Sequence, residues 1–324
     1  MPFHETRSAL PRRCQSGLPP VVALVLLAGS ALACSDSSVI GGDSTTGAAF
    51  TTAPVGCTYS YNAFNSSAIV SAASVVQWSC TGSTRKLVGN GIPDHPTSGV
   101  FRDPISAQSV SISFSTAPSL TSTSGNYLSR TALGYVLNGV KLDPGTDGSC
   151  ASSATSTVPG GGCVGGMGRD PWVLEAIGGA FDFGTDASNA HPQPTGQYHY
   201  HGMPEEYLAK LNKGKAMTLV GFAMDGFPIY ARYGFTVATD ATSPVKVLTS
   251  SWQKKTTADA GRPSVTIFPM GTFTSDYRYV AGSGDLDECN GRTGVTPEFP
   301  AGIYHYLITE SFPYIQRCVK GKVD

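Results

Sequence analysis

The sequence has 324 residues, a formal net charge of −1 and 14% charged residues. This composition excludes the basic surface that nucleic-acid binding requires, and no acidic tail indicates a basic partner. The length suffices for one large domain or two small ones, and the 38 glycines are typical of a β-rich protein with long loops.

The N-terminus has the pattern of a targeting segment. Arg7, Arg12 and Arg13 precede a short apolar stretch at 21–28, which predicts a signal peptide over residues 1–33. The tetrapeptide that ends at Cys34 fits an ordinary signal-peptidase site. It also resembles a bacterial lipobox, in which Cys34 becomes the lipidated first residue.

Cysteine parity favours the lipobox. Of the eight cysteines, Cys14 leaves with the signal peptide and lipidation uses Cys34, so an even number remains for disulfides in an oxidising compartment. Cleavage without lipidation leaves an odd thiol. We therefore predict an exported periplasmic or cell-surface lipoprotein, anchored to a membrane surface by its lipid.

Six cysteines allow fifteen disulfide connectivities. We predict the pairing of neighbours along the chain: Cys57–Cys80, Cys150–Cys163 and Cys289–Cys318. Residues 34–56 are rich in Ser, Thr and Gly and predict a flexible tether. The predicted domain arrangement is completed by a single domain over residues 57–324.

Several segments of this domain have a recognisable pattern. Residues 68–80 are apolar enough to be buried but are ambiguous between helix and strand, whereas 109–115 alternates as a half-buried strand does. Asn138-Gly139 predicts a hairpin over 135–142, because this pair permits the positive φ angles of a type I′ turn. Pro171 and Gly178 bracket a predicted short helix.

The C-terminal half also contains recognisable elements. Residues 203–211 have Pro204 and two acidic residues near the start and Lys210 near the end, which is the charge order of a helix and predicts one. Predicted strands follow at 217–223, 227–230 and 302–309. The predicted fold class is therefore α+β but β-dominated, with mainly antiparallel sheets, short helices and long loops tied by disulfides.

Two of the six histidines lie in the segment Tyr198-His199-Tyr200-His201. If the segment is a strand, His199 and His201 point to one face and the two tyrosines to the other. The pattern returns once, as Tyr304-His305-Tyr306. Two imidazoles one strand step apart can bind the same metal ion.

The first of these segments resembles the signature of the YHYH family of exported bacterial proteins. Further phrases that resemble the family bring the similar region to roughly residues 90–320: 91–95 (GIPDH), 221–230 (GFAMDGFPIY), 286–292 (LDECNGR) and 304–306 (YHY). The resemblance implies an exported protein with a single YHYH-type domain. It implies no particular reaction.

The leading functional hypothesis is a metal site. His199 and His201 are two ligands, His305 becomes the third if the two similar strands pair, and His95 is the candidate for a fourth. His191 is interpreted as a loop residue. The alternative is a metal-free binding or structural module with a sheet rich in Tyr and His.

Copper is the expected metal. The compartment is oxidising, and the segment resembles the aromatic His-x-His strands of cupredoxin-type copper proteins, although their downstream His-Cys-His-type segment is absent. Zinc fits imidazole as well. Calcium would use aspartates in glycine-containing loops, such as Asp225 and Asp287, but such aspartates more commonly accept hydrogen bonds from local backbone amides. The sequence identifies no catalytic residue.

Overall fold

The structure is a computed structural model that describes residues 55–121, 132–146, 148–157, 160–164, 170–179 and 181–323. The chain divides into residues 1–45 and 46–324, and every described residue belongs to the second unit. The predicted signal peptide, Cys34 and all of the tether except residues 55 and 56 lie outside the described residues. Within the described part of the chain, no helix is both long and apolar enough to span a bilayer.

The first four strands form an antiparallel meander: β1 Ser60–Asn65, β2 Ala72–Thr81, β3 Thr84–Gly89 and β4 Val110–Ser115. In β2, burial alternates residue by residue, so Val76 and Trp78 are buried whereas Val75 and Gln77 are exposed. This alternation resolves the ambiguity in favour of a strand over 72–80, because a period of two places Val76 and Trp78 on one face, whereas 68–70 form a turn.

The remaining elements of the described residues are one helix, α1, and fifteen further strands. In chain order they are β5 Gly134–Val136, β6 Lys141–Leu142, β7 Ser149–Cys150, β8 Cys163–Val164, β9 Trp172–Val173, β10 Ala190–Pro192, β11 Tyr198–Tyr200, α1 Glu205–Leu211, β12 Thr218–Ala223, β13 Pro228–Ala231, β14 Tyr233–Phe235, β15 Val245–Val247, β16 Trp252–Lys254, β17 Tyr277–Tyr279, β18 Gly291–Gly294 and β19 Ile303–Ile308. A 3-10 turn, Thr274–Asp276, precedes β17.

An eight-stranded sheet carries both Tyr-His-Tyr segments, in the order β10-β11-β6-β5-β12-β13-β19-β18. Its neighbours pair antiparallel except for β11 with β6 and β13 with β19. The sheet packs on the meander through aromatic contacts, with the Trp78 ring of β2 5.7 Å from Phe222 of β12 and the Phe114 ring of β4 6.3 Å from Tyr135 of β5. The predicted β-dominated fold with mainly antiparallel sheets is confirmed.

The hairpin at Asn138-Gly139 is present, with β5 and β6 as its arms. Gly139 has φ +81°, and its amide donates to the Val136 carbonyl. Asn138 is not left-handed, so the turn differs from the predicted type I′ form, which needs two left-handed residues.

The helix predicted over residues 171–178 is wrong. Trp172 and Val173 form β9, which pairs with β7 so that Trp172 lies opposite Cys150. Leu174 continues this pairing in a bridge to Phe273. Tertiary strand pairing and the burial of Trp172 and Leu174 therefore outweigh the helical pattern of the segment. The helix predicted over 203–211 is confirmed as α1, which ends at Asn212 in the left-handed conformation.

The three disulfides are the three predicted pairs. Cys57–Cys80 ties the start of the described chain to β2, and Cys150–Cys163 joins directly opposed residues of β7 and β8. Cys289–Cys318 ties the segment before β18 to the C-terminal segment. Each bridge closes a loop of the unfolded chain and so lowers its conformational entropy.

We expect complete reduction to lower the melting temperature by at least about 10 °C, because a disulfide is typically worth about 2–4 kcal/mol. Differential scanning fluorimetry with and without reductant measures this, with free-thiol titration to show that the bridges are open. A double Cys289→Ser/Cys318→Ser variant should show part of the decrease without reductant. An unchanged melt in fully reduced protein would contradict this expectation.

Candidate metal centre

Three imidazoles converge on one face of the eight-stranded sheet. His191 lies on β10 directly opposite His199 on β11, and His201 follows β11 on the same face as His199. The ring centroids are 4.8 Å apart for His191 and His199, 4.9 Å for His191 and His201, and 4.6 Å for His199 and His201. One ligand atom from each lies within 4.8 Å of the other two. We call His191, His199 and His201 the histidine cluster.

The β10–β11 hairpin brings His191 into the cluster. Its loop closes through the Gly196 amide, which donates to the Gln193 carbonyl, and Gly196 has φ +80°. Before β10, the Asp186 carboxylate accepts the Ser188 and Ala190 amides and so fixes the entry into the strand. The register of this hairpin therefore determines that His191 faces His199.

Hydrogen bonds orient two of the rings. His191 donates Nδ1–H to the Phe183 carbonyl at 2.6 Å, and His199 donates Nδ1–H to the Gln197 carbonyl at 3.1 Å. These partners assign the Nδ1–H tautomer, which leaves a lone pair on each Nε2. Metal-binding histidines are commonly held in this way, with the second ring nitrogen bonded to a carbonyl.

His201 is the third member of the cluster, and its side chain is buried. Its Nε2 lies 3.1 Å from Nε2 of His191, and its Nδ1 is buried without a hydrogen-bond partner among the described residues. Because the His191 Nε2 carries a lone pair, His201 donates Nε2–H to it in the absence of an ion. The contact brings two ligand nitrogens of the cluster within hydrogen-bond distance of each other.

The cluster is neutral at pH 7. Burial, together with the nearby Lys141 and His191 charges, lowers the pKa of His199 to about 3. Burial also lowers the pKa of His191 and holds that of His201 well below its ordinary value. Neutral imidazole is the form that binds a metal ion, so these three rings need to lose no proton from a cationic form.

The tyrosines of the Tyr-His-Tyr-His segment face the opposite way, into the main core. Tyr198 and Tyr200 are fully buried, and the Tyr200 hydroxyl lies 2.7 Å from Nε2 of His95. His95, predicted as a fourth ligand, therefore lies behind β11 rather than with the cluster. Asn138 also donates to the Tyr200 hydroxyl. His95 and Asn138 therefore both contact the face of β11 opposite the cluster.

His305 is also remote from the cluster. It lies on β19, and five strand-to-strand steps separate β11 from β19 in the sheet, or about 24 Å at the usual strand spacing. The two similar strands do not pair, so the predicted set of His199, His201 and His305 is not brought together. The structure places His191 where His305 was expected.

The two Tyr-His-Tyr segments nevertheless share a local arrangement. His305 donates Nδ1–H to the carbonyl two residues before it, as His199 does, and burial lowers its pKa to about 4. Three of the four tyrosines pair with carboxylates: Tyr198 donates to Asp186, Tyr304 to Asp287 and Tyr306 to Asp225. Asp225 and Asp287 also accept backbone amides, as expected for aspartates in such loops.

His305 should make stability depend on pH. Its pKa falls from about 6.5 in the unfolded chain to about 4 in the folded protein. The unfolded chain therefore takes up the proton first, and stability is full above pH 6.5 and declines as the pH falls toward 4. We expect His305→Gln to remove a slope of about 1.4 kcal/mol per pH unit in this window.

Urea unfolding of the metal-free wild type and the variant, at intervals from pH 7 to pH 4, measures the difference in slope. Carboxylates and the histidine cluster titrate in both proteins and cancel in the comparison. Parallel pH profiles would show that His305 does not titrate between the folded and unfolded states as expected.

The fold and the cluster define a disulfide-bonded β-protein in which three histidines lie close enough together that they could hold a metal ion. The family model described as YHYH protein matches residues 111–321, which is about two thirds of the chain. The chain belongs to the YHYH protein family. Comparisons with curated proteins and with solved structures give no match.

The matched region includes the whole histidine cluster but begins after His95. His191 is the site residue that sequence reasoning missed. The available signal was the Pro194-Thr195-Gly196 turn, because a hairpin centred there places His191 opposite His199.

Proposed function

We propose that this protein binds one transition-metal ion through His191, His199 and His201. The observation that carries the proposal is the convergence of three neutral imidazoles, with ligand atoms within 4.8 Å of one another. A common ion would lie about 2.0–2.1 Å from each nitrogen, so small side-chain movements bring the set to bonding geometry. Three protein ligands also leave a position for water or another group.

Copper is the ion we propose. Imidazole suits copper, zinc, iron and nickel, and copper binds most tightly in the usual order of divalent affinities. The six cysteines of the described residues are all in disulfides, so none of them offers a thiolate. A site built of imidazole alone is compatible with storage or delivery of the ion outside the cytoplasm.

Metal analysis tests the proposal. The protein is purified from an oxidising compartment, supplied separately with Cu²⁺ or Zn²⁺, dialysed, and measured by inductively coupled plasma mass spectrometry. We expect one equivalent of either ion when it is supplied alone, and copper when both compete. No retained metal would contradict the site, whereas zinc retained against copper would contradict only the choice of metal.

We also propose export and attachment to a membrane surface through lipidated Cys34. The three disulfides support an oxidising compartment, since such bridges are rare in the cytosol of mesophiles. Fractionation of a bacterial host that expresses the full chain or a Cys34→Ser variant tests the anchor. The wild type should be found with membranes and the variant should not. Equal release of both from membranes would contradict lipidation.

A further inference from the structure

A buried ion pair lies beside the histidine cluster on the same sheet face. In the parallel pairing of β11 with β6, Lys141 is the direct partner of His199. Asp143 lies two residues after Lys141, beside His201, and its amide donates to the Tyr200 carbonyl. The Lys141 ammonium and the Asp143 carboxylate are 2.8 Å apart, with side-chain exposures of only 9% and 8%.

The charges of Lys141 and Asp143 affect the pKa values of the clustered histidines. Burial is the main reason that the pKa of His191 and of His199 is lowered, but the Asp143 charge opposes this effect at both rings. Lys141 acts in the opposite direction on His199 and His201. One member of the pair therefore favours positive charge at the cluster and the other disfavours it.

A second buried pair flanks the cluster. Arg317 donates to Glu175 at 2.6 Å, and the Arg317 charge also lowers the pKa of His201, after burial and the other histidines. Both ion pairs are balanced while the cluster is neutral. An ion that enters adds positive charge to a buried site with three neutral ligands, and buried charge is costly unless an opposite charge compensates it.

We propose that Asp143 is the anionic group that compensates the bound ion, and that Lys141 sets the affinity by competing with the ion for Asp143. Asp143 suits this role because its carboxylate is bonded to Lys141 and to a single backbone amide, that of Gly145. When the ion binds, its charge repels the Lys141 ammonium and attracts the carboxylate. The inference rests on the proposed metal site and assigns two further residues to it.

The test is the affinity of Cu²⁺ at pH 7, measured by competition with a chelator, in four proteins. Lys141→Met removes the competing cation and should bind at least about tenfold tighter than wild type. Asp143→Asn removes the compensating anion and should bind at least about tenfold weaker, because attraction and repulsion between neighbouring charges are strong in a buried site. The double variant should be close to wild type.

A purely structural role for the pair predicts a different pattern, in which both single variants bind more weakly because the cluster loses its geometry. Lys141→Met leaves a buried carboxylate unpaired and therefore needs a check of folding by circular dichroism. If it does not fold, the double variant replaces it and should bind at least about tenfold tighter than Asp143→Asn. Lys246→Met, which breaks the more exposed pair with Asp285, is the matched control and should leave the affinity unchanged.

The two proposals fail in different ways. If wild type retains no ion at all, the metal site is wrong and this inference falls with it. If wild type binds copper but removal of Lys141 gives no tighter binding in either background, the metal site stands and the roles of Lys141 and Asp143 are overturned.

Discussion

His191→Ala is expected to abolish stoichiometric retention of metal and to lower the affinity for Cu²⁺ at least about 100-fold. His191 is one of only three imidazoles in the cluster, and its Nε2 already lies 3.1 Å from that of His201. Loss of an outer partner of a metal ligand typically costs about 10–100-fold in affinity, so loss of a direct ligand should cost at least as much. Competition with a chelator measures the change.

His305→Ala is the matched control. Like His191, His305 lies on a strand of the eight-stranded sheet and has its Nδ1 bonded to a backbone carbonyl. Its strand, β19, lies five strands away from β11 in the sheet. Removal of the His305 side chain should therefore leave copper affinity unchanged in folded protein. The reverse result, with binding lost in His305→Ala and kept in His191→Ala, would contradict the arrangement of the site.

Arg262→Met is expected to lower the free energy of unfolding by about 3–5 kcal/mol, because it leaves the buried Asp276 carboxylate without its cation. Two guanidinium nitrogens of Arg262 donate to the two carboxylate oxygens at 2.6 and 2.7 Å, and the side chains are 0% and 2% exposed. Asp276 also accepts the Gly271 and Phe273 amides. Removal of the arginine therefore disturbs the whole turn before β17.

Lys255→Met serves as the control in the same region. Lys255 pairs with Asp259 at 2.6 Å, but both side chains are partly exposed to water. Such a surface pair is worth at most about 1 kcal/mol. Urea unfolding of both variants measures the difference, and a loss in Arg262→Met no larger than that in Lys255→Met would contradict the importance of the buried pair.

Several strands and the helix α1 could be predicted because their signals are local. The alternation in β4 and the Pro and acidic start of α1 depend on residues within one element. The segment 171–178 also has local helix signals, yet β9 forms there because Trp172 pairs across from Cys150. That pairing depends on β7, which is separated from β9 in the chain by β8, so no pattern within the segment predicts it.

The candidate site was likewise predictable only in the part that depends on a single strand. The common face of His199 and His201 follows from the period of a single strand and was predicted. Which third histidine joins them depends on strand order, and sequence similarity between the Tyr-His-Tyr segments suggested that their strands pair. The sheet instead places β6, β5, β12 and β13 between them. His191 joins the cluster because β10 forms a hairpin with β11, the next strand along the chain. The pairing is short-range in sequence, but Pro192 next to His191 favours interpreting the segment as a loop.

The most direct test of the metal centre is a crystal structure of the copper-loaded protein with anomalous diffraction measured on both sides of the copper absorption edge. The arrangement of the cluster predicts one strong anomalous peak about 2.0–2.1 Å from a ring nitrogen of each of His191, His199 and His201. A peak held by His305 or by His95 would contradict it, as would an unoccupied cluster in crystals soaked with excess copper.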